Sequence, residues 1–418
     1  MKRLICWLTL AGIIMLGSST NAAINSAPTS APTPDFWGMV VRDPAYEWGT
    51  NPAFPNQANQ TFITTMLDNL QAAGVEWVRF EFHGDYTGSD YGSINLAQAD
   101  YFVQAAHARG LKVLALLGTD ILRGPKAAVR NFDKGAVLDP CPPPPIGCGV
   151  NEYQQVWLER ALAVAAHYQG QIDAYEIFNE PNHYFALSDE TNGLEDEMNP
   201  YFVAQTITKL FRILRTKEPP EVPDLTPLIV GGLHPLRSVE SGRSDAGYIT
   251  ALYTSAPFSG YKAANGRWPV DGVGYHPYPA EMRRPGSDND FLYRVGPRLD
   301  TLVATLRAHD SSAKLWITEA GTRGEPSDPA DMERQADFLG QMAAITYARR
   351  ADVGPWFWFK YEDFPPAAES WGVVRIPFDA NGSYEVNGTV ALFKPAYAKY
   401  QQMVAQYRER VWVPVVVR

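Results

Sequence analysis

The order in which apolar segments recur along the 418 residues limits the fold more than any single motif does. Runs with strand character begin near Phe36, Trp77, Leu111, Ile172, Leu228, Val273, Leu315 and Trp356. Between them lie stretches whose apolar residues recur at helical intervals. Examples are Phe62, Met66, Leu67 and Leu70; Val156, Leu158, Ala161, Leu162 and Ala165; Phe202, Ile207, Leu210, Phe211 and Leu214; Leu302 and Leu306; and Phe338, Met342 and Ile345. The eighth run is followed by one more, Tyr397 to Tyr407. Spacing by three and four makes one side of a helix apolar, while near-continuous apolar runs suit strands buried on both faces. Eight β-then-α units predict an α/β protein whose parallel sheet closes on itself, a single (β/α)8 TIM barrel over residues 35–410 with extended βα loops. The competing open, doubly wound sheet would favour a phosphate-binding glycine fingerprint after the first strand, and none is there.

The two ends read differently. Lys2 and Arg3 precede the apolar stretch Leu4 to Leu16, and Thr20-Asn21-Ala22 offers small residues for cleavage, the pattern of an export signal over residues 1–22. That stretch is short for a membrane span. Residues 23–34, rich in Ser, Thr, Ala and Pro, read as a flexible linker, and residues 411–418 as an apolar C-terminal tail. The expectation is a secreted protein, extracellular or periplasmic, with no membrane association after signal removal. Cys6 would leave with the signal. Cys141 and Cys148 then flank a proline-rich hexapeptide as an even pair in an exported chain, which predicts a disulfide closing a stiff loop, with two free thiols as the alternative. A formal charge of -10 gives no electrostatic reason for a nucleic-acid partner. The seven histidines form no close pair in sequence and no Cys-His cluster, so neither metal nor cofactor is expected.

In a barrel the chemistry sits where strands end, so polar residues there outweigh polar residues elsewhere. The run from Ile172 stops at Asn179-Glu180 ahead of Pro181, and Lys314 to Gly321 delivers Glu319 to a small-residue turn. Alternation along Trp77 to His83 sets Arg79, Glu81 and His83 on one face, inward, and Val78, Phe80 and Phe82 toward the helices. The end of the sixth run places His276 and Tyr278 inward behind two glycines, and Trp356 and Trp358 alternate along the eighth. His183 and Tyr184 follow the first glutamate in a loop. Each has a plainer reading: a strand-end Glu is usually a surface or salt-bridge residue, Arg79 could neutralise Glu81 or Glu176, and His276 and Tyr278 could be satisfied core polar groups. Glu176 shares the parity of Glu180 one step deeper and reads as structural.

Ile177-Phe178-Asn179-Glu180-Pro181-Asn182 and Trp316-Ile317-Thr318-Glu319-Ala320-Gly321 resemble the two signature motifs of the retaining glycoside hydrolases built on the (β/α)8 barrel, closest in wording to families 39 and 5. The resemblance implies that Glu180 is the acid/base and Glu319 the nucleophile, supported by Asn179, Arg79, His276 and Tyr278. Trp358 or Trp356 would floor the sugar site, with His183 and Tyr184 touching substrate. Retention needs one neutral and one ionised carboxyl about 5–5.5 Å apart. Burial and the neighbouring anion are expected to raise the pKa of Glu180, while Arg79 and Tyr278 keep Glu319 ionised. The implied partner is a β-linked oligo- or polysaccharide. A transglycosylase with the same pair, or a catalytically inactive sugar-binding or matrix protein, are the competing readings.

Overall fold

The computed structural model describes residues 35–42, 50–51, 54–85, 90–123, 135–183, 198–216, 223–235, 244–278, 290–364, 369–379 and 383–409. The expected signal, linker and C-terminal tail lie outside these residues, as does Tyr184.

Eight strands close into one parallel barrel: β1 Trp37–Val40, β2 Trp77–Glu81, β3 Lys112–Leu117, β4 Ala174–Ile177, β5 Leu228–Leu233, β6 Gly272–Tyr275, β7 Lys314–Ala320 and β8 Val353–Trp358. Each pairs with its sequence neighbours, and Trp37 opposite Trp356 joins the last strand to the first. The helices are α1 Gln60–Ala72, α2 Leu96–Ala108, α3 Glu152–His167, α4 Pro200–Arg215, α5 Asp245–Thr254, α6 Ala256–Asn265, α7 Asp290–His309, α8 Pro329–Tyr347 and α9 Pro395–Glu409. This is the predicted (β/α)8 architecture. Their starts are written in the sequence: Asn151 and Gln154 form a reciprocal capping box on α3, while Asn199 before Pro200 and Asp328 before Pro329 cap α4 and α8. Each such cap contributes about 1 kcal/mol. Asn59 is a buried cap of α1, its side chain accepting from the Phe62 amide.

Two apolar clusters form among the described residues. The larger lies between strands and helices; the smaller takes Val40, Trp77, Leu114, Ala174, Ile229 and Phe357 from six strands, with Trp316 and Phe359 packed on it, and so plugs the barrel lumen. Trp77 meets Trp316 edge to face at 5.6 Å. On β2 the alternation holds, with Val78, Phe80 and Phe82 in the outer cluster. On β8 it is reversed. Trp356 and Trp358 are fully buried in the outer cluster, Trp356 stacked on Tyr400 of α9 and Trp358 tilted against Phe338 of α8, so neither floors a sugar site. The lumen receives Phe357 and Phe359 instead. Space explains the reversal: Phe357 lies where only a glycine fits opposite, since a Cβ on Gly38 would stand 2.4 Å from its ring.

Cys141 and Cys148 are joined by the expected disulfide. Lys209 of α4 ties that loop down by donating to the carbonyls of Ile146 at 3.0 Å and Cys148 at 2.8 Å. Past β8, buried Lys394 donates to Asp363 at 2.6 Å and to the Gly324 and Ser370 carbonyls, fastening the start of α9 to the segment after β8.

Candidate active site

The chain leaves β4 through a sharp turn, with φ of 65° at Phe178 and 44° at Glu180. Left-handed backbone at non-glycine residues is costly and persists only where neighbours enforce it. Here they do: the Phe178 amide donates to the Leu117 carbonyl, and the Glu180 amide to the Gly232 carbonyl at 3.1 Å. The turn comes so close to β5 that a Cβ on Gly231 would lie 1.7 Å from the Phe178 carbonyl. The two-glycine end of β5 is thus what lets Glu180 reach the mouth of the barrel.

Arg79 is the hub. Its Nε donates to Glu176 at 2.5 Å, Nη1 to Glu319 at 2.7 Å and Nη2 to the Asn179 side chain at 3.1 Å. Arg79 thus pairs with fully buried Glu176 and also contacts the strand-seven carboxylate. Burial alone would lower its pKa, but Glu176 and Glu319 more than offset this and raise it. Glu176 also accepts from the Gly232 amide at 2.8 Å, as a structural residue should. The other oxygen of Glu319 accepts from the Tyr278 hydroxyl at 2.5 Å, and burial followed by the Glu319 charge pushes that phenol well above its usual range.

Glu180 sits among imidazoles. His276 Nδ1 is 2.9 Å and His234 Nδ1 3.1 Å from its Oε1, and His183 Nδ1 is 3.8 Å from its Oε2. His276 also reaches Thr318 through Nε2 at 3.0 Å and approaches Glu319 to 3.7 Å. One atom each from Glu180, His276 and Glu319 all fall within 4.8 Å of one another, so the two carboxylates face each other across a short gap. The expectation of a raised Glu180 pKa is overturned. Burial does push the carboxyl up, but hydrogen bonds from His183, His234 and His276 together outweigh it and hold the carboxyl well below the usual range. His276 moves the other way: burial would lower it, yet Glu319 and Glu180 leave it above the ordinary imidazole value. The contact between them thus lowers the one group and raises the other.

These groups open into a cavity of about 700 Å³, ordinary for a ligand site. Phe359, Phe364 and Trp371 line its strand-eight side, with Trp371 meeting Tyr278 edge to face at 5.5 Å and Phe359 at 5.8 Å. They provide the aromatic surface expected of Trp358. The Trp371 indole is fixed by its Nε1 donating to Glu369 at 2.6 Å. Lys360, buried at the same wall beside Glu362 at 2.7 Å, has its pKa lowered to about 8 by burial, an effect Glu362 only partly opposes. Across the cavity Glu81 and His83 face in as β2 parity requires, 3.2 Å apart, and burial leads in raising the Glu81 pKa.

His183 lines the cavity, and its ring stacks on that of His234 at 3.9 Å and 15°. Histidines without a close partner in sequence thus meet in space. His234, Trp371, Phe359 and Lys360 escaped the sequence reading. A signal for His234 was present, because Leu233-His234-Pro235 ends β5 in the way Tyr275-His276-Pro277 ends β6.

No family model matches the sequence, and no curated protein does. Solved structures do. The fold is similar to a family 39 glycoside hydrolase from the gut symbiont Bacteroides cellulosilyticus WH2, with a TM-score of 0.51 and 17% identity over 89% of this chain and 64% of that one. It is similar to a GH1 β-glucosidase from Exiguobacterium antarcticum B7, with a TM-score of 0.56 and 13% identity over 91% and 99% of the two chains. An aphid myrosinase gives a TM-score of 0.57 and 12% identity over 89% and 98%. The likeness is one of fold. The chain spans 64% of the length of the family 39 enzyme.

Proposed function

We propose that this chain is an exported retaining glycosidase acting on a β-linked oligo- or polysaccharide by double displacement. The observation that carries the proposal is the pair of facing carboxylates, within 4.8 Å through their nearer oxygens, one gripped by Arg79 and Tyr278 and the other by histidines. Inverting enzymes hold their carboxyls wider to admit a water, and this gap is on the short side of the divide. Similar architectures in a family 39 hydrolase, a β-glucosidase and a myrosinase support the reading.

The residues divide the work as follows. Glu319, aimed by Arg79 and Tyr278, attacks the sugar carbon while the bond to the leaving oxygen breaks. The Glu180–His276 pair delivers a proton to that oxygen through Glu180. Once Glu319 carries the glycosyl group its charge is gone, and Glu180 takes a proton from the water that attacks next. Asn179, its side-chain oxygen held by Arg79, offers its amide to the neighbouring sugar hydroxyl. Trp371 and Phe359 present rings to the apolar face of the sugar.

The test is a panel of polysaccharides and aryl glycosides offered to the purified protein, to Glu180→Gln and to Glu319→Gln. Each variant should fold and lose at least about 10²-fold in turnover. Undiminished turnover by either would remove the assignment.

A further inference from the structure

The stacked imidazoles on the strand-five side of the cavity do not belong to the motifs that brought the two glutamates to notice. His234 is built in. The Asn182 side chain donates to the His234 carbonyl at 2.9 Å and accepts from its amide at 2.8 Å, a two-point clamp between the turn after β4 and the end of β5. The ring lies flat against His183, is about nine-tenths buried, and directs Nδ1 at Glu180 Oε1, the oxygen that also takes His276. Its Nε2 is enclosed with no hydrogen-bond partner among the described residues. A hydrogen placed there would be a stranded buried donor, so the ring is suited to donating through Nδ1. Nor do the two rings form a chelate, because imidazole lone pairs lie in the ring plane and near-parallel stacked rings aim them side by side rather than at one point.

We propose that His234, backed by His183 and clamped by Asn182, is a positioning residue that fixes the rotamer of Glu180 and keeps it a carboxylate, the form needed for the water-activating half of the reaction. This deepens the glycosidase reading and rests on it for its meaning, though not for its test. The geometry separates two jobs that a lone carboxyl would have to perform by itself. His276, hydrogen-bonded to Glu180 and 3.7 Å from Glu319, stands between both carboxylates. Of Glu176, Glu180 and Glu319, His234 touches Glu180 alone. Among the described residues, the charged or titratable groups around Glu180 are His183 from its own turn, His234 from the end of β5, His276 and Tyr278 from beyond β6, Glu319 from β7, and Arg79 from β2, which holds Glu176 below. Of these, His183, His234 and His276 all favour the ionised form.

The experiment needs no substrate. In full-length protein labelled with [13Cδ]glutamate, the Glu180 carboxyl resonance is identified by its disappearance in Glu180→Gln and followed against pH. His234→Phe should raise the proton affinity of Glu180 at least about tenfold, the worth of one hydrogen bond to a charged group. His234→Asn, which keeps a donor near the place of Nδ1, should restore most of the difference. His183→Leu should move the resonance in the same direction and by less. A structural role alone predicts lower melting temperatures with an unmoved titration, and that outcome overturns the proposal. If His234→Phe fails to fold, His183→Leu decides: a folded variant with an unmoved Glu180 overturns it equally. A screen that finds no glycoside turnover would refute the glycosidase reading and leave this titration intact, so the two failures cannot be confused.

Discussion

Replacing Arg79 with Met removes the guanidinium that Glu176 and Glu319 share. Glu176 is fully buried and would keep the Gly232 amide with His276 at 4.0 Å, and Glu319 would keep Tyr278 with His276 at 3.7 Å. Breaking a buried ion pair from one side costs about 3–5 kcal/mol, because the surviving charge stays desolvated without compensation. For a unit the size of Asp35–Arg418, an unfolding entropy of about 0.8 kcal/mol/K turns that into a fall of about 4–6 °C in Tm. Calorimetry on Arg79→Met, Glu176→Gln and the double variant supplies the assay. The double variant should be more stable than the sum of the singles by about 2 kcal/mol, since neutralising Glu176 removes part of what Arg79 was compensating. A single variant melting within about 1 °C of the parent, or strictly additive effects, would refute the view that Arg79 is the electrostatic keystone of the site.

Other outcomes can be checked alongside. Trp371→Ala should weaken binding of whichever glycoside is turned over by about 1–2 kcal/mol with the fold intact, read as KM against kcat; Trp358→Ala should leave KM alone and instead cost about 3–5 kcal/mol of stability in a melt. Because Glu319 and Glu180 overcome burial to raise the His276 pKa above 6.5, its contribution to stability is fully present below that value and lost as pH rises through the folded-state pKa. His276→Gln should accordingly flatten the alkaline side of a Tm-against-pH curve. Replacing Cys141 and Cys148 with Ser opens a short loop and should cost about 2–3 kcal/mol, with no change in catalytic pH profile.

The barrel was legible because eight apolar runs separated by helical spacing leave a chain little else to form. The two glutamates were legible because each closes such a run, where nothing apolar explains it. Parity along a strand served well on β2, whose alternation is regular, and gave the wrong face on β8. There the register against β7 shifts twice between Val353 and Trp358, and the volume left by Gly38 decides which rings turn inward. The state of Glu180 could not be read from its motif at all. Its carboxyl answers to three imidazoles brought in by the ends of three different strands, and a linear pattern carries no sign of which donors will converge. Trp371 was hidden for a related reason: it sits beyond β8 in a segment with no periodicity, and its place in the cavity depends on the tie from Lys394.

The stopper of rings inside the barrel has a consequence for traffic. Among the described residues, Trp77, Trp316 and Phe357 pack together in the lumen, so rings occupy the shaft on the amino-terminal side of Arg79. On the glycosidase reading, incoming glycan and departing fragments therefore use the carboxyl-terminal end of the strands, where the cavity lies. Enlarging that stopper's gaps, for example by Trp316→Ala, should let deuterium reach the deepest amides of β2 and β4 by a second route and speed their exchange before any global unfolding is seen.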